Sequence, residues 1–212
     1  MTRCTDGPMT RSHSRVPAFF RRIALKGWRK SPYFTYSSRY PVLRRWLISQ
    51  LSVRDKAILS IGCGSGELER DLVKLNHQVT GLDICFEMLQ AARRRGVKNT
   101  VQADAVKLPF VASSFNLVMF PESIGYFALD EVLPGVVQVL KNRGRLLVTA
   151  YPTNFASDFI YKKFTVAEFN RALNDNGLRI ADQRLLTVKR NRVTEVFSED
   201  RSEVIYILAR KA

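Results

Sequence analysis

Residues 57–67 read Ala57-Ile58-Leu59-Ser60-Ile61-Gly62-Cys63-Gly64-Ser65-Gly66-Glu67. A short apolar run ends in alternate glycines and passes at once into a helical pattern. The run predicts a buried strand over 57–61 and the continuation a helix over 67–75. Glycines permit a tight turn and close approach of backbone to a ligand. A strand, such a loop and a helix, in that order, are the context of a nucleotide-binding turn. In an open α/β sheet that turn lies at the carboxyl edge of the strands. The dinucleotide fingerprint is GxGxxG, whereas this loop is GxGxG, a spacing that disfavours NAD or FAD.

Outward from the loop, strand and helix patterns alternate. Strands are predicted at 78–82, 100–102, 115–120, 145–150, 179–188 and 203–209, the last two antiparallel. Helices are predicted at 86–95, 129–140 and 166–176, the last ended by Gly177. Seven strands in this alternation imply an α/β fold of Rossmann-like type, with a mostly parallel sheet covered by helices on both faces. Asp83 closes the second strand and Asp104 follows the third. A carboxylate at the first position can accept bonds from ribose hydroxyls, and one at the second can accept from an adenine amino group.

The chain of 212 residues carries a net charge of +15. Residues 1–50 hold 11 Lys/Arg against one acid, Asp6, while residues 51–212 hold 23 basic and 18 acidic side chains. The basic excess therefore belongs to an N-terminal extension on a nearly balanced domain. The expected organisation is a disordered tail over 1–15, a basic helical extension and cap over 16–50, and the main domain over 51–212. Met9 offers an alternative start. Residues 16–30 read as a basic amphipathic helix, 33–40 as a loop, and Pro41 as the opening of a second helix reaching Leu51. Three readings attach to the basic segment: peripheral contact with anionic membrane lipids, nucleic-acid affinity, or an organelle transit peptide. Nucleic acid ranks below the first, because no RNA-binding module accompanies the helix. No stretch approaches the ~20 apolar residues of a spanning helix. The cysteines Cys4, Cys63 and Cys85 lack metal-ligand spacing and their odd number argues against a disulfide framework. No metal is expected, Cys63 and Cys85 are read as small apolar fillers, and the compartment expected is the cytoplasm.

The motifs IGCGSGELE, GLDICFEMLQAAR, QADAVKLPF, SSFNLVMF and VLKNRGRLLVTAYP stand in that order, before FTVAEFNRALNDNGLRI and a closing hairpin. In this the chain, over about residues 40–212, resembles the class I S-adenosylmethionine (SAM)-dependent methyltransferases of small-molecule type. The resemblance implies SAM as cofactor, with Ile61, Gly62, Cys63, Gly64 and Gly66 along its methionine part. It implies Asp83 on the ribose, Ile84 against adenine, Asp104 and the backbone of Ala105 at the adenine edge, and Phe120, with Pro121, under the sulfonium. Glu122 is the candidate general base or orienting group and Tyr126 its catalytic neighbour. Tyr126 replaces a histidine frequent in relatives and is too weakly acidic to act as a base at neutral pH. Asn116, in place of an aspartate, and Asn142-Arg143-Gly144, in place of a Pro-Gly-Gly turn, are further departures. With little chain between Tyr151 and Val166, the acceptor's cover falls to the N-terminal segment, with Tyr36 and Tyr40 as wall residues beside Phe34. Ser123 and Tyr151 complete the expected acceptor contacts.

The reading is methyl transfer to an oxygen or nitrogen of a small molecule. Methylation of RNA or protein held by the basic segment, and SAM binding without catalysis, stand as alternatives.

Overall fold

A computed structural model describes residues 15–26, 40–52, 54–153, 161–189 and 192–212. Two helices precede the sheet, α1 (Arg15–Lys26) and α2 (Tyr40–Ser49). The alternating part runs β1 (Ala57–Ile61), α3 (Glu67–Lys74), β2 (Gln78–Asp83), α4 (Phe86–Arg94), β3 (Asn99–Gln102), β4 (Phe115–Pro121), α5 (Leu129–Val139) and β5 (Leu140–Ala150). It closes with α6 (Val166–Asp175), β6 (Leu178–Lys189), β7 (Arg192–Val196) and β8 (Val204–Lys211). The strand order is β3-β2-β1-β4-β5-β8-β6-β7. β1 to β5 pair in parallel, and β8 enters antiparallel between β5 and β6. The chain thus crosses over beside β1, and the β1 and β4 ends flank the crevice where α/β sheets bind ligands.

The sheet has eight strands where seven were expected. The extra one, β7, is a short hairpin partner of β6 at the sheet edge. β5 also begins earlier than its apolar run: Leu140 already pairs with Phe115, and a register shift precedes the Leu117–Arg145 pair. Within that shift Arg143 takes a left-handed φ of 59°. The expected turn at Asn142-Arg143-Gly144 is therefore an irregularity inside a strand.

Strand side chains alternate between two cores, as period-two geometry requires. Leu59, Val118, Phe120, Val148 and Ile207 meet α5 and α6 on one face, while Ile58, Leu117, Met119, Leu147 and Tyr206 meet α2 and α3 on the other. α2 is part of that second core, with Leu43 and Leu47 fully buried. It is also tied to α3, since Arg44 reaches Asp71 at 3.2 Å and Glu67 at 3.4 Å. α1 packs separately: Phe19, Phe20, Ile23 and Ala24 lie against Cys85 and Met88 at the start of α4. Its apolar stripe is therefore turned inward. Tyr36 and the 33–39 stretch lie outside the described residues, and no helix among those described is long and apolar enough to cross a membrane.

Candidate active site

The glycine loop turns because its three glycines take left-handed φ values, 70° at Gly62, 52° at Gly64 and 73° at Gly66. Non-glycine residues rarely adopt this region. A β-carbon on Gly66 would also strike Ala92 of α4 at 2.8 Å, so this glycine lets α4 seat against the loop. A β-carbon on Gly64 would meet no atom within 4 Å. That side of the loop is open, as a ligand cradle requires.

Asp83 closes the cradle from β2. Its Oδ2 accepts from the Gly64 N–H at 2.8 Å and its Oδ1 from the Cys85 N–H at 2.9 Å. Burial raises its pKa, and the N–H groups of Cys85, Gly64 and Ile84 pull it back down. Each carboxylate oxygen keeps a lone pair for a further donor. Asp104 stands beyond β3, where its Oδ1 accepts from the Val106 N–H at 3.0 Å in a local turn. Ala105 and Ile61 are buried beside it and beneath the loop, and Phe120 is fully buried with its ring in the core. Cys63 packs against Gly81, and burial raises both its thiol and that of Cys85, the latter to about 11. Both cysteines are neutral fillers.

Glu69 was not anticipated. It sits in the first turn of α3, 1% exposed, and its Oε1 accepts from the Ser60 hydroxyl at 2.6 Å. Burial raises its pKa to about 7, the Ser60 bond opposes that, and the charges of Asp83 and Glu67 add to it. A nearby cation favours the ionised form of such a buried carboxyl group. With the open cradle and Asp83, these residues fit an adenosyl sulfonium.

Across the cleft, β4 ends in Pro121 and Glu122. Glu122 holds a left-handed φ of 59°, and its N–H donates to Thr149 Oγ1 at 2.9 Å. Ser123 is buried beneath Gly62, where its hydroxyl donates to the Ile61 carbonyl at 2.5 Å. That proton is committed to joining β4 to the loop. Tyr40, at the start of α2, is near this group. Burial raises its hydroxyl pKa strongly, Glu69, Glu122 and Glu67 add to it, and Arg44 opposes it.

A row of rings covers this end. Phe20 of α1 meets Tyr126 edge-on at 5.3 Å, Tyr126 meets Tyr161 at 5.1 Å, and Tyr161 meets Tyr151 at 4.9 Å. Tyr126 and Tyr151 were expected here; Phe20 and Tyr161 were not. Tyr161 can enter only because residue 125 is glycine, since a β-carbon there would lie 2.2 Å from its ring. Its buried hydroxyl has no hydrogen-bond partner among the described residues. Burial raises its pKa, and the nearby Glu122 and Tyr126 add to that. His77 is elsewhere, bonded to the Asp55 carbonyl at 2.7 Å. No group of three or more His, Cys, Asp or Glu able to hold a metal occurs among the described residues.

Residues 59–148 match the methyltransferase domain family, described as "Methyltransferase domain". The matched stretch runs from within β1 to within β5 and contains the glycine loop, Asp83 and Asp104. The chain is 35% identical over 104 residues to the ubiquinone biosynthesis O-methyltransferase of Yersinia enterocolitica, covering 46% of this chain and 43% of that one. The chain spans about half the length of the curated relatives it matches. Its fold is that of the class I SAM-dependent methyltransferases. A SAM-dependent methyltransferase of Thermotoga maritima, described as a possible histamine N-methyltransferase, superposes with a TM-score of 0.75 at 18% identity, covering 92% of this chain and 99% of that chain. The magnesium protoporphyrin IX methyltransferase of Synechocystis, solved with bound SAM, gives 0.68 at 18% identity, over 98% of this chain and 100% of that one.

Proposed function

We propose that the chain is a SAM-dependent methyltransferase acting on a hydroxyl or amine of a small molecule. The observation that carries this reading is the Asp83 carboxylate, held by the Gly64 N–H at 2.8 Å beside a glycine loop whose open side would take a ligand. In this reading Ile61 to Gly66 follow the methionine part of the cofactor, Asp83 holds the ribose, and Ile84, Asp104 and Ala105 border the adenine. When bound, SAM supplies a methyl carbon on a sulfonium leaving group. The chain's own work is alignment, exclusion of water and removal of a proton.

Glu122 is the group we assign to the proton. Its backbone is held by Thr149 and Phe120 ends in the core below it, so its carboxylate is presented from a rigid strand end. A neutral hydroxyl loses its proton to that carboxylate as its oxygen takes the methyl group, whereas an ammonium must give up a proton first to free the nitrogen lone pair that takes the methyl group. Tyr126 and Tyr151 orient the acceptor by ring contact and hydrogen bonding, with Tyr40 on the α2 side; Tyr36 is a wall residue on the sequence alone. Asp83 and Glu122 lend negative charge to the cleft, Glu67 being paired with Arg44, which favours a neutral or cationic acceptor over an anionic one.

The test is calorimetric titration with SAM and with NAD, followed by methyl transfer from labelled SAM to a panel of small phenols and amines. We expect SAM binding and turnover on a neutral or cationic acceptor. Tighter binding of NAD would overturn the cofactor assignment. Turnover on RNA or protein alone would replace the small-molecule reading, and SAM binding with no turnover would replace the catalytic one.

A further inference from the structure

The outer face of α1 carries exposed side chains to which the methyl-transfer reading gives no role, although they border a groove whose far wall includes Ile84, assigned above to the adenine. Leu25 is 72% exposed and Phe86 44% exposed, and both line one groove of about 770 Å³. Arg21 and Arg22 line the same groove, with Ile84 and Gln102 on its far wall. Isolated exposed apolar side chains are ordinary; here a leucine and a phenylalanine share one rim with two arginines.

The packing of α1 narrows what this face can meet. Its Phe19, Phe20 and Ile23 are spent on Cys85 and Met88 of α4, so the helix cannot lay that stripe into another surface. What remains outward is Arg21, Arg22 and Leu25, continued by Phe86 across the groove. Glu87 is the one carboxylate among the lining residues described, and Arg21 Nε pairs with it at 2.8 Å. α1 itself contains no acidic residue, and the first 50 residues hold 11 Lys/Arg against one acid. The face is therefore cationic and carries two exposed apolar side chains.

We propose that this face docks on an anionic lipid bilayer, with Leu25 and Phe86 entering the headgroup layer and Arg22 and Arg21 meeting lipid phosphates. A cationic rim around two apolar side chains suits an interface whose surface is anionic and whose interior is apolar. An RNA strand would use the arginines and leave Leu25 and Phe86 without a role. The inference stands independently of the acceptor and of the catalytic assignment.

The experiment uses the full chain and co-sedimentation with vesicles of phosphatidylcholine alone or mixed with phosphatidylglycerol, at physiological salt. Binding to the anionic vesicles and little to the neutral ones is expected. The Leu25→Asp, Phe86→Asp double variant loses about tenfold or more in partitioning, and Arg22→Gln loses about fivefold. All these side chains are exposed, so thermal melting of the variants stays as in the wild type; the milder Leu25→Ser, Phe86→Ser pair serves if the aspartates disturb the fold. Anionic-vesicle binding that survives both double variants would overturn the proposal, because basic residues elsewhere would then suffice. So would equal binding to neutral vesicles, absence of vesicle binding, or RNA binding lost on the Arg22 change in its place.

Discussion

The Ser60 hydroxyl in the middle of β1 donates to Glu69 Oε1 at 2.6 Å in the first turn of α3, joining the two elements that the glycine loop connects. Burial raises Glu69 from an ordinary 4.5 to about 7. Between those values the folded chain keeps a proton that the unfolded chain has released. Stability without cofactor therefore falls as pH rises through this window and levels off above about 7. Asp83, also raised by burial, acts in the same direction nearer its own ordinary range. The expected loss between pH 5 and 8 is at most about 3 kcal/mol from Glu69. Urea unfolding across that range checks it, and Glu69→Gln should remove most of the slope. An unchanged slope in the variant would assign the effect to another group.

Asp83→Ala should weaken SAM binding by about 1–3 kcal/mol through loss of a buried, hydrogen-bonded contact. Asp83→Asn should recover little, because an amide presents one acceptor oxygen where the carboxylate offers two. Calorimetric affinities of the three proteins decide the point, and equal affinities would remove Asp83 from the cofactor site.

Glu122→Gln preserves shape and removes the base. The expected outcome is a fall of about 10²–10⁴ in kcat with SAM affinity unchanged. A parallel loss of SAM affinity would mean that Glu122 holds the cofactor. An unaltered kcat would leave proton removal to another group.

Gly125→Ala places a β-carbon 2.2 Å from the Tyr161 ring. Relief requires movement of the ring row, so a cost of about 1–3 kcal/mol is expected. Combining it with Tyr161→Leu should cost less than the sum of the two single changes. Additive losses in chemical denaturation would show that the two residues do not share the strain.

Asp55 is 2% exposed and pairs with Arg145 of β5, whose Nε donates at 3.1 Å, while the Ser52 N–H caps it at 2.7 Å. Asp55→Ala leaves the guanidinium without its buried partner and should cost about 3–5 kcal/mol. Removing both partners should cost less than removing Asp55 alone, as read by thermal or urea unfolding.

Local pattern carried much of the fold. The Ala57–Ile61 run, the glycine loop and the apolar period of α3 to α6 are properties of neighbouring residues, so they were legible before any contact was known. β7 was not legible, because Arg192–Val196 is a half-exposed edge segment with no apolar run, held in place only by its ladder to β6. The start of β5 escaped for a similar reason. Leu140 belongs to the strand through its pairing with Phe115, and Lys211 Nζ donates to its carbonyl at 2.8 Å from the far end of the chain.

The candidate site divides the same way. Gly62, Gly64, Gly66 and Asp83 could be named from spacing, since a left-handed loop and a strand-end carboxylate leave their mark in residue type. Glu69 reads along the chain as one more acid in a helix's first turn; its burial comes with the packing of α3 on the sheet, where Ser60 of β1 donates to it. Ser123 reads as a free hydroxyl in an acceptor wall, yet the approach of β4 to the loop commits it to the Ile61 carbonyl. Phe20 and Tyr161 become neighbours of Tyr126 only when α1 and the chain after β5 converge on the end of β4.

By itself, then, the order of residues determined the alternation of strands and helices, the glycine turn and the carboxylate beside it, because backbone sterics and apolar periodicity act within a few positions. The tertiary structure alone decided which acids are buried, which hydroxyls are spent and which face of α1 stays outward. Those outcomes depend on desolvation and on contacts between residues tens of positions apart, whose energies no local stretch contains.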